Sequence, residues 1–291
     1  MGAGDGQFGG LAYAPLTEEA LAARAAEQLP ADAAAVLLTH TRPSLRLVPT
    51  RGVGGAAAGW LGGPAMLPPE VAWPTSGGRG LEVVAVLDLA ALREAGEVPG
   101  LPLPDAGWLT FFYDDVEQPW GYDPAQMDGW RVVHAVEGAV ARPAPEGTST
   151  YPQVPLAAVV EPTVPGVSED ALETLHETAW DELFVFGEEL RPIGQPAHRV
   201  GGWPDLVQDS MWLAVQLAAA GIYLGGVEGW RDPRVPELTP GAGDWRLLLQ
   251  IDTDDDASMM WGDAGRLYFL AREEDLVAGA FERCWLKLQC G

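Results

Sequence analysis

Two stretches of this chain gather side chains able to do chemistry. The first is Gln195-Pro-Ala-His198-Arg199-Val-Gly201-Gly202-Trp203-Pro204-Asp205-Leu-Val-Gln208. It crowds polar groups around a Gly-Gly turn ahead of an expected helix. Free backbone N–H groups at a helix start, with a guanidinium fork beside them, suit an anionic ligand group. In that reading His198 is a general acid/base, Arg199 an anion clamp, and Gly201, Gly202, Asp205 and Gln208 shape the binding site. The plainer alternative pairs Arg199 with Asp205 or the acidic loop and leaves His198 to cap a turn. The second stretch, Asp252-Thr-Asp254-Asp255-Asp256-Ala257 through Trp261-Gly262-Asp263, places acids at relative positions 1, 3, 5 and 12, as in an oxygen-ligated calcium loop. Asp252, Asp254 and Asp256 are the candidate metal ligands, Asp263 a base or further ligand, and Gln250 and Trp261 beside them are candidate ligand-binding residues. Ala257 stands where the sharp turn wants Gly, and position 12 is Asp rather than Glu. A solvated acidic hairpin loop is the alternative; if a cofactor exists at all, it is a divalent cation.

Other motifs fail on context. Gly52-Val-Gly54-Gly55-Ala-Ala57 fits a dinucleotide fingerprint, yet Gly59, Gly62, Gly63 and Pro64 deny it the helix it must open. There is no G-x-S-x-G elbow, and His40, His134, His176 and His198 show no metal-ligand spacing. The single lysine, Lys287, lies close to the C-terminus, which argues against phosphate-loop, kinase and pyridoxal chemistry. Cys284 has no sequence-local partner, and in a strand it and Cys290 stand roughly 20 Å apart, too far to bridge. The twelve tryptophans can hold sugars or cations beside carboxylates, although packing explains most of them.

Composition narrows the partners. With 17 Lys+Arg against 42 Asp+Glu the formal net charge is −25. That field repels phosphate backbones and anionic membranes, so neither nucleic acid nor membrane is expected as a partner. A hydrophobic share of 47% with 9% aromatics excludes a disordered polyanion. The start of the chain lacks a signal-peptide pattern, and no apolar run reaches the ~18 residues of a membrane helix. A cytoplasmic setting is expected.

The elements that must position these residues follow from punctuation. Residues 1–15 read as a flexible Gly/Ala-rich tail and 16–291 as a single domain. A helix is expected from Thr17 to Leu29, stopped by Pro30, and Ala33–Leu38 is helix or strand. Strands are expected at 45–48, 81–89, 108–113, 130–136, 245–252, 266–270 and 281–289. Residues 49–80 read as packed loop, and the proline-broken 142–166 as a connector. Helices are expected from Ser168 to Phe186 and from Pro204 to Ala220.

Val83-Val-Ala-Val-Leu-Asp88 with Ala106-Gly-Trp-Leu-Thr-Phe-Phe112 parallels Leu247-Leu-Leu-Gln-Ile-Asp252 with Ala264-Gly-Arg-Leu-Tyr-Phe-Leu270. Both are preceded by Gly-Gly and a proline. The fold class is therefore α+β: two weakly repeated, mainly antiparallel β-meander units, about 40–140 and 195–290, with helices packed on them. These blocks, with Gly62-Gly-Pro-Ala-Met-Leu-Pro68, His198-Arg-Val-Gly-Gly-Trp-Pro204 and Met259-Met-Trp-Gly-Asp-Ala-Gly-Arg-Leu-Tyr-Phe269, resemble the bacterial YwqG-like family across roughly residues 40–290. That resemblance implies a cytosolic α+β protein of unknown activity, with members near toxin–immunity genes or biosynthetic clusters. Where the family tends to carry Gln in its first copy, this chain has Val86. Two functions are expected: an accessory or immunity-type protein that binds a cationic protein or a small molecule, or a tailoring hydrolase, cyclase or isomerase at the His198–Arg199 turn and the Asp252–Asp263 loop.

Overall fold

In the computed structural model, which describes residues 13–50, 57–191 and 195–291, local chemistry sets the first elements. Thr17 accepts the Ala20 amide and starts α1 (Glu18–Gln28); Pro30 ends it and opens α2 (Ala31–Thr39). The ambiguous 33–38 stretch is thus helical. β1 (Arg42–Pro49), β2 (Gly59–Leu61), β3 (Ala65–Leu67), β4 (Thr75–Ser76), β5 (Arg79–Gly80) and β6 (Glu82–Asp88) follow, and Asp88 caps α3 (Leu89–Ala95). Then come β7 (Trp108–Tyr113), β8 (Trp130–Ala135), β9 (Val140–Arg142), β10 (Val154–Thr163) and α4 (Trp180–Leu190). The chain continues through β11 (Arg199–Val200), α5 (Trp212–Ala219), α6 (Val235–Leu238), β12 (Trp245–Asp252), β13 (Arg266–Arg272), α7 (Glu273–Ala278) and β14 (Trp285–Gln289).

Ten strands make one antiparallel sheet in the order β14-β13-β12-β11-β1-β10-β2-β6-β7-β8. The fold is α+β, as expected. β1 and β10 pair at its centre, in register from Arg42 with Thr163 to Pro49 with Leu156. Short β11 docks on the outer side of β1, and short β2 on the outer side of β10. The sheet curls until its edges meet: Trp130 of β8 stacks edge-on against Trp285 of β14, centroids 5.1 Å apart, and donates to the Cys284 carbonyl. Inside the curl Phe111 and Phe269, from opposite flanks, touch edge to face at 5.1 Å in a core with Leu45, Leu47 and Ile251.

A second core binds the helical layer, with Leu21, Ala25 and Leu37 against Leu172, Leu183 and Phe186. A third, with Leu67, Val83, Val86 and Phe112, covers the outside of the β6–β7 flank. No helix among the described residues is long and apolar enough to cross a membrane.

Three expectations are corrected. The proline-rich stretch 142–166 contains β10, the longest strand of the sheet centre; Pro43 faces Pro162 on one rung, so the two residues that cannot donate share the same gap in the ladder. The helix expected from 168 to 186 is a 3-10 turn at Asp170–Leu175 followed by α4. The helix expected from 204 to 220 is helical only over Trp212–Ala219, because side chains of the sheet take the amides of Asp205, Val207 and Gln208. The dinucleotide-like glycines at 52, 54 and 55 lie outside the described residues, as does most of the expected 1–15 tail.

Glu169 ties the helical layer to the second flank. Its carboxylate accepts from Ser210 Oγ at 3.0 Å and Trp212 Nε1 at 2.7 Å. Burial pushes this acid up from 4.5 to about 7, against the lowering effect of those two hydrogen bonds. A raised carboxyl lowers stability as pH climbs from the unfolded to the folded value, with the full cost present above it. Glu169→Gln should therefore be about 2–3 kcal/mol more stable than wild type at pH 8 and close to equal at pH 4.5. Denaturant titrations at the two pH values check this.

Candidate functional site

The register of the sheet, more than any motif, assembles the polar site. Arg46 of β1 faces Arg199 of β11, Arg199 faces Gln250 of β12, Gln250 faces Tyr268 of β13, and Tyr268 faces Lys287 of β14. Cross-strand partners share a face, so these side chains form one polar row on the outside of the sheet. On the other flank the row running outward from β10 is Pro155, Trp60, Val86, Thr110 and Val133. Thr110 in it bonds the Met66 backbone through its hydroxyl, and Trp60, Val86 and Val133 pack into the third core. The two rows thus differ in chemistry.

The polar row is roofed by residues 203–209. Gln250, fully buried, accepts the Asp205 amide at 2.9 Å and donates to the Ala197 carbonyl. Gln289 accepts the amides of Val207 and Gln208, both at 3.1 Å. Tyr268 donates its hydroxyl to the Asp205 carbonyl at 2.8 Å. The Asp205 carboxylate lies between Arg191 Nε at 2.7 Å and Arg266 Nη1 at 3.2 Å. Burial works against this carboxylate, but Arg266, Arg199 and Arg191 outweigh it and hold its pKa below the usual range. Arg266 also meets Asp252 at 3.0 Å. Burial pushes the Arg199 guanidinium down to about 10, with Arg46 and Arg266 adding to the effect and Asp205 opposing it.

Beside this network is a cavity of about 960 Å³ between the outer face of the sheet and the helical layer. Arg46, Arg199 and Glu161 lie on its sheet side, and Leu183, Phe186 and Leu206 supply apolar wall. Arg46 is 2% exposed and donates from Nη2 to the Pro196 carbonyl. Arg199 donates from Nη1 to the Trp203 carbonyl at 3.1 Å. The Nε atoms of both are buried without a hydrogen-bond partner among the described residues. Glu161 accepts from the Tyr13 hydroxyl and the Leu16 amide, pinning the chain ahead of α1 to the rim.

The residues singled out from sequence are therefore divided. Arg199, Asp205 and Gln250 come together. His198 is fully buried on another side of β11: Nδ1 accepts the Asp252 amide at 3.0 Å, so Nε2 carries the proton and donates to Asp254 at 3.0 Å. Both ring nitrogens are engaged. Asp252 takes the Ala197 amide at 2.7 Å besides Arg266, and Asp254 takes the amides of Asp256 and Ala257. The calcium-like spacing thus folds into a turn whose acids serve different partners, and among the described residues no group of three or more His, Cys, Asp or Glu is placed to hold a metal. Asp256 and Asp263 are exposed. Trp261 is buried and donates to the Asp252 carbonyl at 3.1 Å, and Gln208 donates to the Cys290 carbonyl at 2.8 Å.

The Gly-Gly turn does not head a helix. Gly201 (φ 67°) and Gly202 (φ 71°) are left-handed, and a Cβ on Gly202 would lie 2.6 Å from Thr163 Oγ1. They let the roof cross the end of the β1–β10 pair. Arg46, Arg191, Glu161 and Arg266 were missed by motif reading. One signal for Arg46 was present: a charge between Leu45 and Leu47 in a strand marks an outward face. Lys287, set aside as near the C-terminus, is 1% exposed.

The chain belongs to the DUF1963 family, a domain of unknown function whose profile matches residues 60–290. A comparison with curated proteins gives no match.

Lys287 supplies a test of how the polar row is sealed. Its Nζ sits 2.8 Å from the centroid of the Tyr122 ring and donates to the Trp120 carbonyl at 3.3 Å. Burial pushes the amine down from 10.5 to about 7. A depressed lysine costs most below its folded value, and the cost fades as pH rises toward the unfolded one. Lys287→Met should gain about 2–4 kcal/mol at pH 6, with the gain shrinking steadily above pH 7. Chemical denaturation across pH 6–10 measures it.

Proposed function

We propose that this protein is an accessory binding protein that takes a small molecule into the cavity between α1, α2, α4 and the polar face of the sheet. The observation that carries the reading is a cavity of about 960 Å³ lined by the arginines Arg46 and Arg199 on one side and by apolar wall on the other. The tailoring-enzyme alternative is less well supported. His198 has both ring nitrogens committed, Asp252 is engaged by Arg266 and the Ala197 amide, and the exposed Asp263 does not line the cavity that Arg199 lines. A cationic protein partner is a second reading, favoured by the exposed carboxylates Asp255, Asp256 and Asp263 on the β12–β13 loop of a chain with net charge −25. That reading calls for a complex whose affinity falls with salt.

The same proposal takes the chain as YwqG-like and its two flanks as copies. In support, β6–β7 and β12–β13 each carry a register shift at matching places, Val83/Ala85 and Leu247/Leu249. Gly62–Gly63 and Gly201–Gly202 are left-handed pairs that each follow a short strand. On this view one copy lost its polar row and the other kept it.

Gly187 offers the test. It lines the cavity from α4, and a Cβ there would meet nothing within 4 Å. Gly187→Trp should fold at least as stably as wild type, because glycine is a poor helix residue, while filling the space a ligand needs. The neutral dye N-phenyl-1-naphthylamine should bind wild type saturably at one site and bind Gly187→Trp at least tenfold more weakly. Equal binding to both proteins would refute the cavity as the site.

A further inference from the structure

We infer that the ligand of this cavity carries an oxyanion, a carboxylate or a phosphate, seated on the Arg46–Arg199 pair. The inference rests on the small-molecule reading above and names its chemical class. The argument begins with a like-charge contact. Arg46 and Arg199 are directly opposite across β1 and β11, an arrangement that is unfavourable by itself. Proteins that bury such a pair normally set a carboxylate beside it.

The neighbouring arginines follow that rule. Arg191 has Glu188 and Asp205, and Arg266 has Asp205 and Asp252. Arg46 and Arg199 have no carboxylate within 4.0 Å among the described residues, and each keeps an Nε donor unused. Glu161, the acid on the same side of the cavity, takes the Tyr13 hydroxyl and the Leu16 amide on Oε1, and it and Asp205 act on Arg199 only from beyond ion-pair distance.

Two guanidiniums that line a cavity, each with one backbone carbonyl contact made and a buried Nε left over, are complementary to an oxyanion. The row on the other flank, Pro155, Trp60, Val86, Thr110 and Val133, carries no charged residue. The lining carries five acids, Glu161, Glu188, Glu189, Asp205 and Asp209, beside four arginines, so the attraction for an oxyanion is confined to the Arg46–Arg199 end, where charges beyond about 8 Å are largely screened at physiological salt. Leu183, Phe186 and Leu206 offer apolar surface for the rest of the ligand, so an oxyanion on an aromatic or acyl body fits better than a bare ion.

Two dyes of nearly the same body separate the claims: 1-anilinonaphthalene-8-sulfonate, which is anionic, and the neutral N-phenyl-1-naphthylamine. Wild type should bind the anionic dye at one site at least tenfold more tightly than the neutral one. Arg199→Gln should weaken the anionic dye tenfold or more and change the neutral dye less than twofold. Arg199→Lys, which keeps charge and gives up the fork, should fall between, and it serves if the glutamine variant does not fold. Benzoate and phenyl phosphate should each displace the anionic dye where benzamide does not; the better competitor identifies the oxyanion. Equal affinities for the two dyes, unchanged in Arg199→Gln and Arg199→Lys, or displacement by benzamide as readily as by the anions, would overturn the oxyanion while leaving the cavity reading intact. Failure of wild type to bind either dye at a single site would overturn both.

Discussion

Everything else in the molecule hangs on the antiparallel ladder between β1 and β10. It joins two parts of the chain more than a hundred residues apart, and each strand then accepts the short strand that heads the other flank: β11 on β1, β2 on β10. Neither flank is attached to the centre by its own strand alone. That interlocking commits the chain to long-range contacts before local ones stabilise it, which is slow in loop-closure terms. It also explains why prolines are tolerated in β10. A strand pinned on both sides keeps its path even where Pro155 and Pro162 contribute no donor.

The same ladder decides where chemistry can sit. Because β11 docks on β1, Arg199 lands beside Arg46, and the polar row continues through Gln250 and Tyr268. Two residues chosen for one purpose, Gln250 and Gln289, hold the roof segment in an extended path by taking its amides. A hydrophobic side chain at either place would leave buried N–H groups unpaired, at about 1–3 kcal/mol each. The first flank solves the same covering problem with Trp60, Val86 and Phe112. Its polar clamp is a single hydroxyl, Thr110, which holds the Met66 backbone.

How much of this was legible follows from which signals are local. The α1 cap at Thr17, the strands at 108–113, 130–135 and 245–252, and the matching Gly-Gly turns come from spacing and turn chemistry within a few residues. Arg199 and Asp205 stand out as polar residues near a turn and Gln250 as a neighbour of the acidic stretch, and the three do meet. The central strand β10 was hidden by its prolines, and the helix after Pro204 was overridden by side chains more than forty residues distant. His198 attracted a catalytic reading because its partners, Asp252 and Asp254, become neighbours only once β11 and β12 pair. Arg46 lies about 150 residues from Arg199 in sequence, so no spacing rule could couple them.

One feature reaches beyond binding. The chain has a single lysine, and it is enclosed between the sheet and the Trp120–Tyr122 segment. The folded surface therefore carries its positive charge on arginine and histidine alone. Reagents and enzymes that act on side-chain amines, including acylating agents and ubiquitin-type ligases, find no side-chain target while β14 is in place. A lysine-specific protease can cleave only after that strand has left the sheet, so a single cut near the C-terminus becomes a direct clock for the opening of the last β-strand.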